Sequence, residues 1–156
     1  MQHITLPVLD EKGLQTGSEL LEVAAVPPDR WRLLHSPAFV DGLAGGDVIE
    51  LDSTAVEGFR LVSRSRNVAV IAVVADADDC ASVAARQLRD ALLALGGVFD
   101  GGPPRMLVFT VPLAAGFPAI ESALREFKED QGGATWWYGN VYERGDSTRP
   151  LGWWQA

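Results

Sequence analysis

The sequence predicts an α+β fold: a small curled β-sheet or barrel of five or six short strands, followed by a unit with the order β-α-β-β-α-β. Three observations carry this prediction. Up to residue 66, apolar and polar residues alternate over brief runs and no stretch keeps a 3.6-residue period. Beyond that point two stretches place apolar residues at helical spacing, each closed by a glycine pair. Proline and glycine clusters separate the remaining apolar runs, as turns require.

Taken in order, Gln2 to Leu9 reads as the first strand, and Asp10-Glu11-Lys12-Gly13 has the composition of a turn. Glu19 to Val26 is the second strand and stops at Pro27-Pro28-Asp29. Arg30 to His35 is the third, closed by Ser36-Pro37, since proline lacks the amide a ladder needs. Ala38 to Gly46 reads as irregular, with Gly42, Gly45 and Gly46 serving a folded-back loop. Asp47 to Asp52 alternates with period two and reads as a half-buried strand. Glu57 to Ser63 and Asn67 to Ala75 complete the set.

The first helix is predicted over Ala81 to Leu95, with Ala84, Leu88, Ala91, Leu92 and Leu95 on one face. Asp78 or Asp79 is expected to cap it, and Gly96-Gly97 to stop it. Val98 to Asp100, a Gly101-Gly102-Pro103-Pro104 turn and Arg105 to Val111 read as a strand pair. Phe117 to Asp130 is the second amphipathic helix, with Phe117, Ile120, Leu124 and Phe127 aligned and Pro118 in its first turn. Ala134 to Tyr142 is the last strand. Counted from Asn67, this is the split βαβ order of ferredoxin-like domains. The domain division is therefore 1–66 (β-rich), 67–143 (ferredoxin-like) and 144–156, a tail without clear period that packs back through Trp153 and Trp154.

A chain of 156 residues should bury about 68 to 70% of its unfolded surface without added staples. The single cysteine, Cys80, can form no internal disulfide, and Met1 to Leu6 lacks the features of a secretory signal, so the cytoplasm is the expected compartment. The longest apolar run, Val68 to Ala75, is far shorter than the roughly 20 residues of a spanning helix, and no membrane insertion is expected. The net charge of −8 is spread evenly, with 6 basic and 10 acidic groups up to residue 66 and 7 and 11 beyond it. Such a field opposes nucleic-acid binding, which draws most of its affinity from phosphate contacts. A basic protein partner is the better electrostatic match.

Several short motifs resemble one family. Ser36-Pro37-Ala38-Phe39 leading into Gly42-Leu43-Ala44-Gly45-Gly46-Asp47-Val48 is similar to the signature of an uncharacterised bacterial family, domain of unknown function 4265. Ser63-Arg64-Ser65-Arg66-Asn67, Leu95-Gly96-Gly97 and Val111-Pro112 follow in the family's order, and the resemblance covers roughly residues 3 to 143. His35-Ser36-Pro37 departs from the family's Asn-Ile-Pro, and Arg66 stands where a glycine is usual. The resemblance implies the fold and transfers no site, because the family has no assigned activity.

No spacing meets the needs of a known chemistry. Two histidines, His3 and His35, and one cysteine do not make a zinc set, so no metal is expected. Asp76-Ala77-Asp78-Asp79 fails as a calcium loop, since Ala81 and Gln87 stand where glycine and glutamate belong. Cys80 lies where a helix terminus lowers a thiol pKa, yet three aspartates surround it and only His35 or His3 could serve as base. The glycine-rich stretches lack a Walker lysine and dinucleotide spacing and read as turns.

Tryptophan is the informative surplus, four of the five falling in the pairs Trp136-Trp137 and Trp153-Trp154. Adjacent strand residues face opposite sides, so one of the first pair is expected in the core and the other under the folded-back tail. The function expected from this sequence is that of a non-enzymatic, cofactor-free protein-binding module, specifically an immunity-type antagonist of a basic toxin domain. Its candidate face is Asp76, Asp78 and Asp79 with Trp153 and Trp154 as anchors. The alternative is a homodimeric small-molecule-binding or regulatory domain.

Overall fold

A computed structural model of the chain describes residues 2–155. Five strands, β1 (Gln2–Leu9), β2 (Gln15–Val26), β3 (Arg30–Leu33), β4 (Val48–Leu51) and β5 (Phe59–Ser63), form an antiparallel meander in chain order. β1 and β5 pair with no further strand among the described residues, so the sheet is open and not a closed barrel. Period-two alternation turns Ile4, Leu6, Leu21, Val23, Leu33 and Ile49 onto one face, where Val40 and Leu43 from the β3–β4 connection cover them.

The sixth predicted strand, β6 (Asn67–Val73), belongs to a second sheet. It lies with β7 (Val98–Gly101), β8 (Met106–Pro112) and β9 (Thr135–Tyr138) in the order β7-β8-β6-β9, every neighbouring pair antiparallel. Helices α1 (Val83–Ala94) and α2 (Phe117–Asp130) connect β6 to β7 and β8 to β9. Their buried faces, Ala84, Leu88 and Leu92 with Ile120, Leu124 and Phe127, pack on Val68, Val70 and Ala72. The other face of β6 presents Ala69 and Ile71 to Ala38 and Ala44 of the β3–β4 loop. A strand covered on both sides explains why its apolar run shows no alternation.

Several boundaries differ from expectation, β2 starting four residues earlier at Gln15 and β3 ending at Leu33, and two of them for identifiable reasons. Residues 77–81 form a separate 3₁₀ turn, in which the Asp76 carboxylate accepts the Asp78 amide at 3.1 Å. Helix α1 is capped by Ser82, whose Oγ accepts the Ala85 amide at 3.0 Å, and not by Asp78 or Asp79. β9 stops at Tyr138 because the Asn140 side chain takes over the ladder: Oδ1 accepts the Ala69 amide and Nδ2 donates to the Asn67 carbonyl, both at 2.9 Å. The tail, in which no period is legible, forms a hairpin of β10 (Tyr142–Glu143) and β11 (Asp146–Pro150) and then a 3₁₀ turn at Trp153–Gln155.

That turn packs back through both tryptophans, though not over the outward member of the first pair. Trp153 Nε1 donates to the Asn140 carbonyl at 2.8 Å, and Trp154 meets Phe117 edge-on at 5.4 Å between ring centres. Phe117 in turn meets Tyr138, and Tyr138 meets Trp136. The tail therefore extends the aromatic row on the helical face of β9. Trp137, on the opposite face, stays 40% exposed.

A polar cluster, with Ser36 buried and the Asp100 side chain 3% exposed, joins the two sheets. Thr110 Oγ1 donates to Asp100 Oδ2 at 2.6 Å and accepts from Ser36 Oγ at 2.6 Å, while Ser36 Oγ accepts the Gly45 amide at 2.9 Å. His35 stands between Asp100 and Glu22, with one ring nitrogen 3.2 Å from each carboxylate. It donates to both only as the imidazolium. Asn67 Nδ2 adds a bond to the Gly45 carbonyl at 2.8 Å.

Candidate binding groove

A concavity of about 560 Å³ runs along the outer edge of β9, within the size range of ligand sites. Alternation on β9 supplies two walls. Trp137 stands on one, beside Asp41 of the β3–β4 loop and Glu11 of the β1–β2 turn. Trp136 and Tyr138 stand on the other, beside Glu121 of α2. The β10–β11 hairpin, residues 142–147, closes the far rim with Tyr142.

Local contacts hold each wall. The Glu19 carboxylate accepts the amides of Ala38, Phe39 and Val40 at 2.8 to 3.0 Å, which fixes the start of the loop that carries Asp41. Gly42 then donates to the Gly139 carbonyl at 2.8 Å, tying that loop to the end of β9. On the opposite wall the Tyr138 hydroxyl donates to Glu121 Oε2 at 3.1 Å. Burial first, and the Glu121 carboxylate second, push the Tyr138 hydroxyl far above its ordinary value, so it stays protonated and acts as a donor.

The groove is strongly acidic. Five carboxylates line it (Glu11, Asp41, Glu121, Glu143 and Asp146) against one guanidinium, Arg144. Burial raises the Asp41 carboxyl, and the positive charge of Arg144 partly offsets this. Arg144 Nε is shielded from solvent and has no hydrogen-bond partner among the described residues. Its other end reaches the β1–β2 turn, where a Cβ at Gly13 would lie 3.4 Å from Nη2. Gly13 also has φ +82°, which other side chains rarely adopt.

The residues expected to form a binding face are not brought together. Asp76 and Asp78 are exposed and Asp79 half-buried, beyond the C-terminal end of β6. Trp153 and Trp154 lie near its N-terminal end, where Asn140 holds Asn67 and Ala69. Seven or more residues of extended chain place the two groups on the order of 20 Å apart. Both tryptophans are half-buried on the helical core. Cys80 packs against that core also, whereas both ring nitrogens of His35 face carboxylates, so no Cys80–His35 pair forms. Among the described residues, no three His, Cys, Asp or Glu side chains are arranged to hold a metal, and no helix is long and apolar enough to cross a membrane. The acids of the groove escape sequence reasoning because Glu11, Asp41, Glu121 and Glu143 come from four separate parts of the chain; the adjacent pair Trp136-Trp137 is the one signal that points to it.

The fold and its groove thus define an α+β protein of two antiparallel sheets, two helices and a C-terminal hairpin. The chain belongs to the family described as Domain of unknown function (DUF4265), whose model matches residues 19–136. The matched span holds Glu19, Asp41, Glu121 and Trp136, and ends one residue before Trp137. No curated protein matches the sequence. A crystal structure of a hypothetical protein from Neisseria gonorrhoeae is similar in fold, with a TM-score of 0.66 at 16% identity over 89% of this chain and 95% of that one.

Proposed function

We propose that this protein is a non-enzymatic binding module that takes a basic protein partner, and that its binding surface is the acidic, aromatic-walled groove beside β9. The observation that carries this reading is the coincidence of five carboxylates with the exposed rings of Trp137 and Tyr142, 40% and 37% accessible, in one concavity. Tryptophan and tyrosine are the usual energetic anchors of protein interfaces, and a focused negative field speeds capture of a cationic partner. The whole chain, at −8, adds to that field.

The specific form we favour is an immunity-type antagonist occupying the basic cleft of a toxin domain, working in the cytoplasm, where a lone thiol such as Cys80 stays reduced. We further read the second sheet with α1 and α2 as a ferredoxin-like split βαβ, a reading supported by its β7-β8-β6-β9 order.

The test compares two charge reversals. Glu11→Lys with Glu121→Lys alters the groove, and Asp76→Lys with Asp78→Lys alters the distant 3₁₀ turn. A stoichiometric basic partner that co-purifies with the parent chain should bind the groove variant at least about tenfold more weakly, with a flatter salt dependence. The 3₁₀ variant should bind as the parent does. Loss of binding only in the 3₁₀ variant would move the site to Asp76 and Asp78, and unchanged binding in both would remove the acidic-surface reading.

A further inference from the structure

Edge strands offer unpaired backbone groups to any passing chain, and native proteins blunt them with proline, charge, bulges or a cover. Three of the four edges of the two larger sheets carry such a device. β1 holds Pro7 and a register shift at Val8/Leu9; β7 has a shift between Phe99 and Gly101; β5 presents the exposed Arg60. β9 carries none. Its sequence, Thr135-Trp136-Trp137-Tyr138, has no charge and no proline, and its register with β6 is unbroken from Val70 to Val73.

The direction of its free groups follows from one bond. Gly139 donates its amide to Ala69 of β6, so in an antiparallel ladder residues 137 and 135 also point toward β6. The N–H and C=O groups of Trp136 and Tyr138 therefore point outward, into the groove. Among the described residues no other strand pairs with them.

The geometry points to strand addition: an extended basic segment of the partner enters the groove and hydrogen-bonds to the outer edge of β9. Its alternate side chains then fall on the two walls, one set against Trp137 and Asp41, the other against Tyr138 and Glu121. Charge decides the occupant. A second copy of this acidic chain would set one carboxylate-lined groove against another, whereas a lysine- or arginine-bearing strand neutralises it. This inference rests on the acidic-groove reading above and adds the backbone pairing to it.

The experiment uses the full chain and a panel of end-blocked synthetic peptides that alternate lysine or arginine with valine, threonine or tyrosine, titrated by calorimetry and tryptophan fluorescence. Each peptide has two counterparts, one N-methylated at alternate amides and one with glutamate replacing the basic residues. Strand addition predicts binding of the basic peptides and a loss of about tenfold or more on N-methylation, which removes ladder donors without changing charge. It also predicts no binding of the glutamate series and about tenfold weaker binding to Trp137→Ala, a substitution at an exposed ring that leaves the circular dichroism unchanged. Equal binding of the methylated and unmethylated basic peptides would overturn strand addition and leave the acidic groove standing. Failure of every basic peptide would overturn both. Sedimentation showing a dimer that Trp137→Ala dissociates would also overturn the inference, by giving the edge to a second copy.

Discussion

At the scale of single residues, Asp47 governs the loop that forms one wall of the groove. The residue is 1% exposed; its Oδ1 accepts the Ser65 amide and hydroxyl at 2.8 and 2.9 Å, and Oδ2 accepts the Ala44 amide at 3.0 Å. Asp47→Ala strands these donors out of water and should cost about 3 kcal/mol in urea unfolding. Burial raises the Asp47 carboxyl above its ordinary value, outweighing the hydrogen bonds from Ser65 and Ala44. The folded chain thus holds this proton more tightly than the unfolded chain does. Its contribution is complete below the ordinary value of 3.8 and is lost as pH rises through the raised one. Asp47→Asn cannot titrate, so the stability advantage of the parent over this variant should shrink as pH rises above 3.8. A constant gap across that range would contradict the burial argument. Glu50, held low by Arg60 and Arg30, and Asp146, held low by Thr148, act in the opposite sense in the variant and the parent alike and cancel from the comparison.

Among the elements, the second helix was fully legible and the C-terminal hairpin was not. Phe117 to Asp130 declares itself through Ile120, Leu124 and Phe127 at helical spacing, all buried on the sheet. A period appears in a sequence only where one face is buried. The β11 residues Ser147 to Pro150 are all exposed, so nothing imposes alternation on them. The same logic separates Ser82 from the aspartates before it: acidic residues announce that a helix start is near, but only the extended backbone of Ser82 and its bond to Ala85 choose the residue. Ser82→Ala should cost about 1 kcal/mol, read as a lower thermal midpoint, while Asp79→Ala should be close to neutral. Trp154→Ala removes the edge contact with Phe117 and should cost about 2 kcal/mol, a loss that a purely partner-binding anchor would not show in the free protein.

At the scale of the whole molecule, the two sheets are predicted to unfold together. Asp100, 3% exposed at its side chain, accepts from the Ser36 amide and the Thr110 hydroxyl and faces His35, so it touches both halves at once. Asp100→Ala should cost about 3 kcal/mol and, by uncoupling the sheets, broaden the denaturant transition or split it in two. A single transition of unchanged slope would show that apolar contacts such as Ala69 and Ile71 with Ala38 and Ala44 suffice for coupling. The groove is a property of this same scale. Glu11, Asp41, Glu121 and Arg144 become neighbours only once both sheets, α2 and the tail are in place, and for that reason the sequence shows their charges without showing their convergence. The position of β9 ahead of the β10–β11 hairpin has a consequence for synthesis. On the ribosome, Thr135 to Tyr138 emerges before the hairpin that rims its groove, and during that interval its unpaired edge, with two tryptophans and no gatekeeper, is more open to other chains than in the finished protein. A chain stopped after Asn140 should therefore partition into the insoluble fraction far more than the full chain, and Trp137→Lys should restore its solubility.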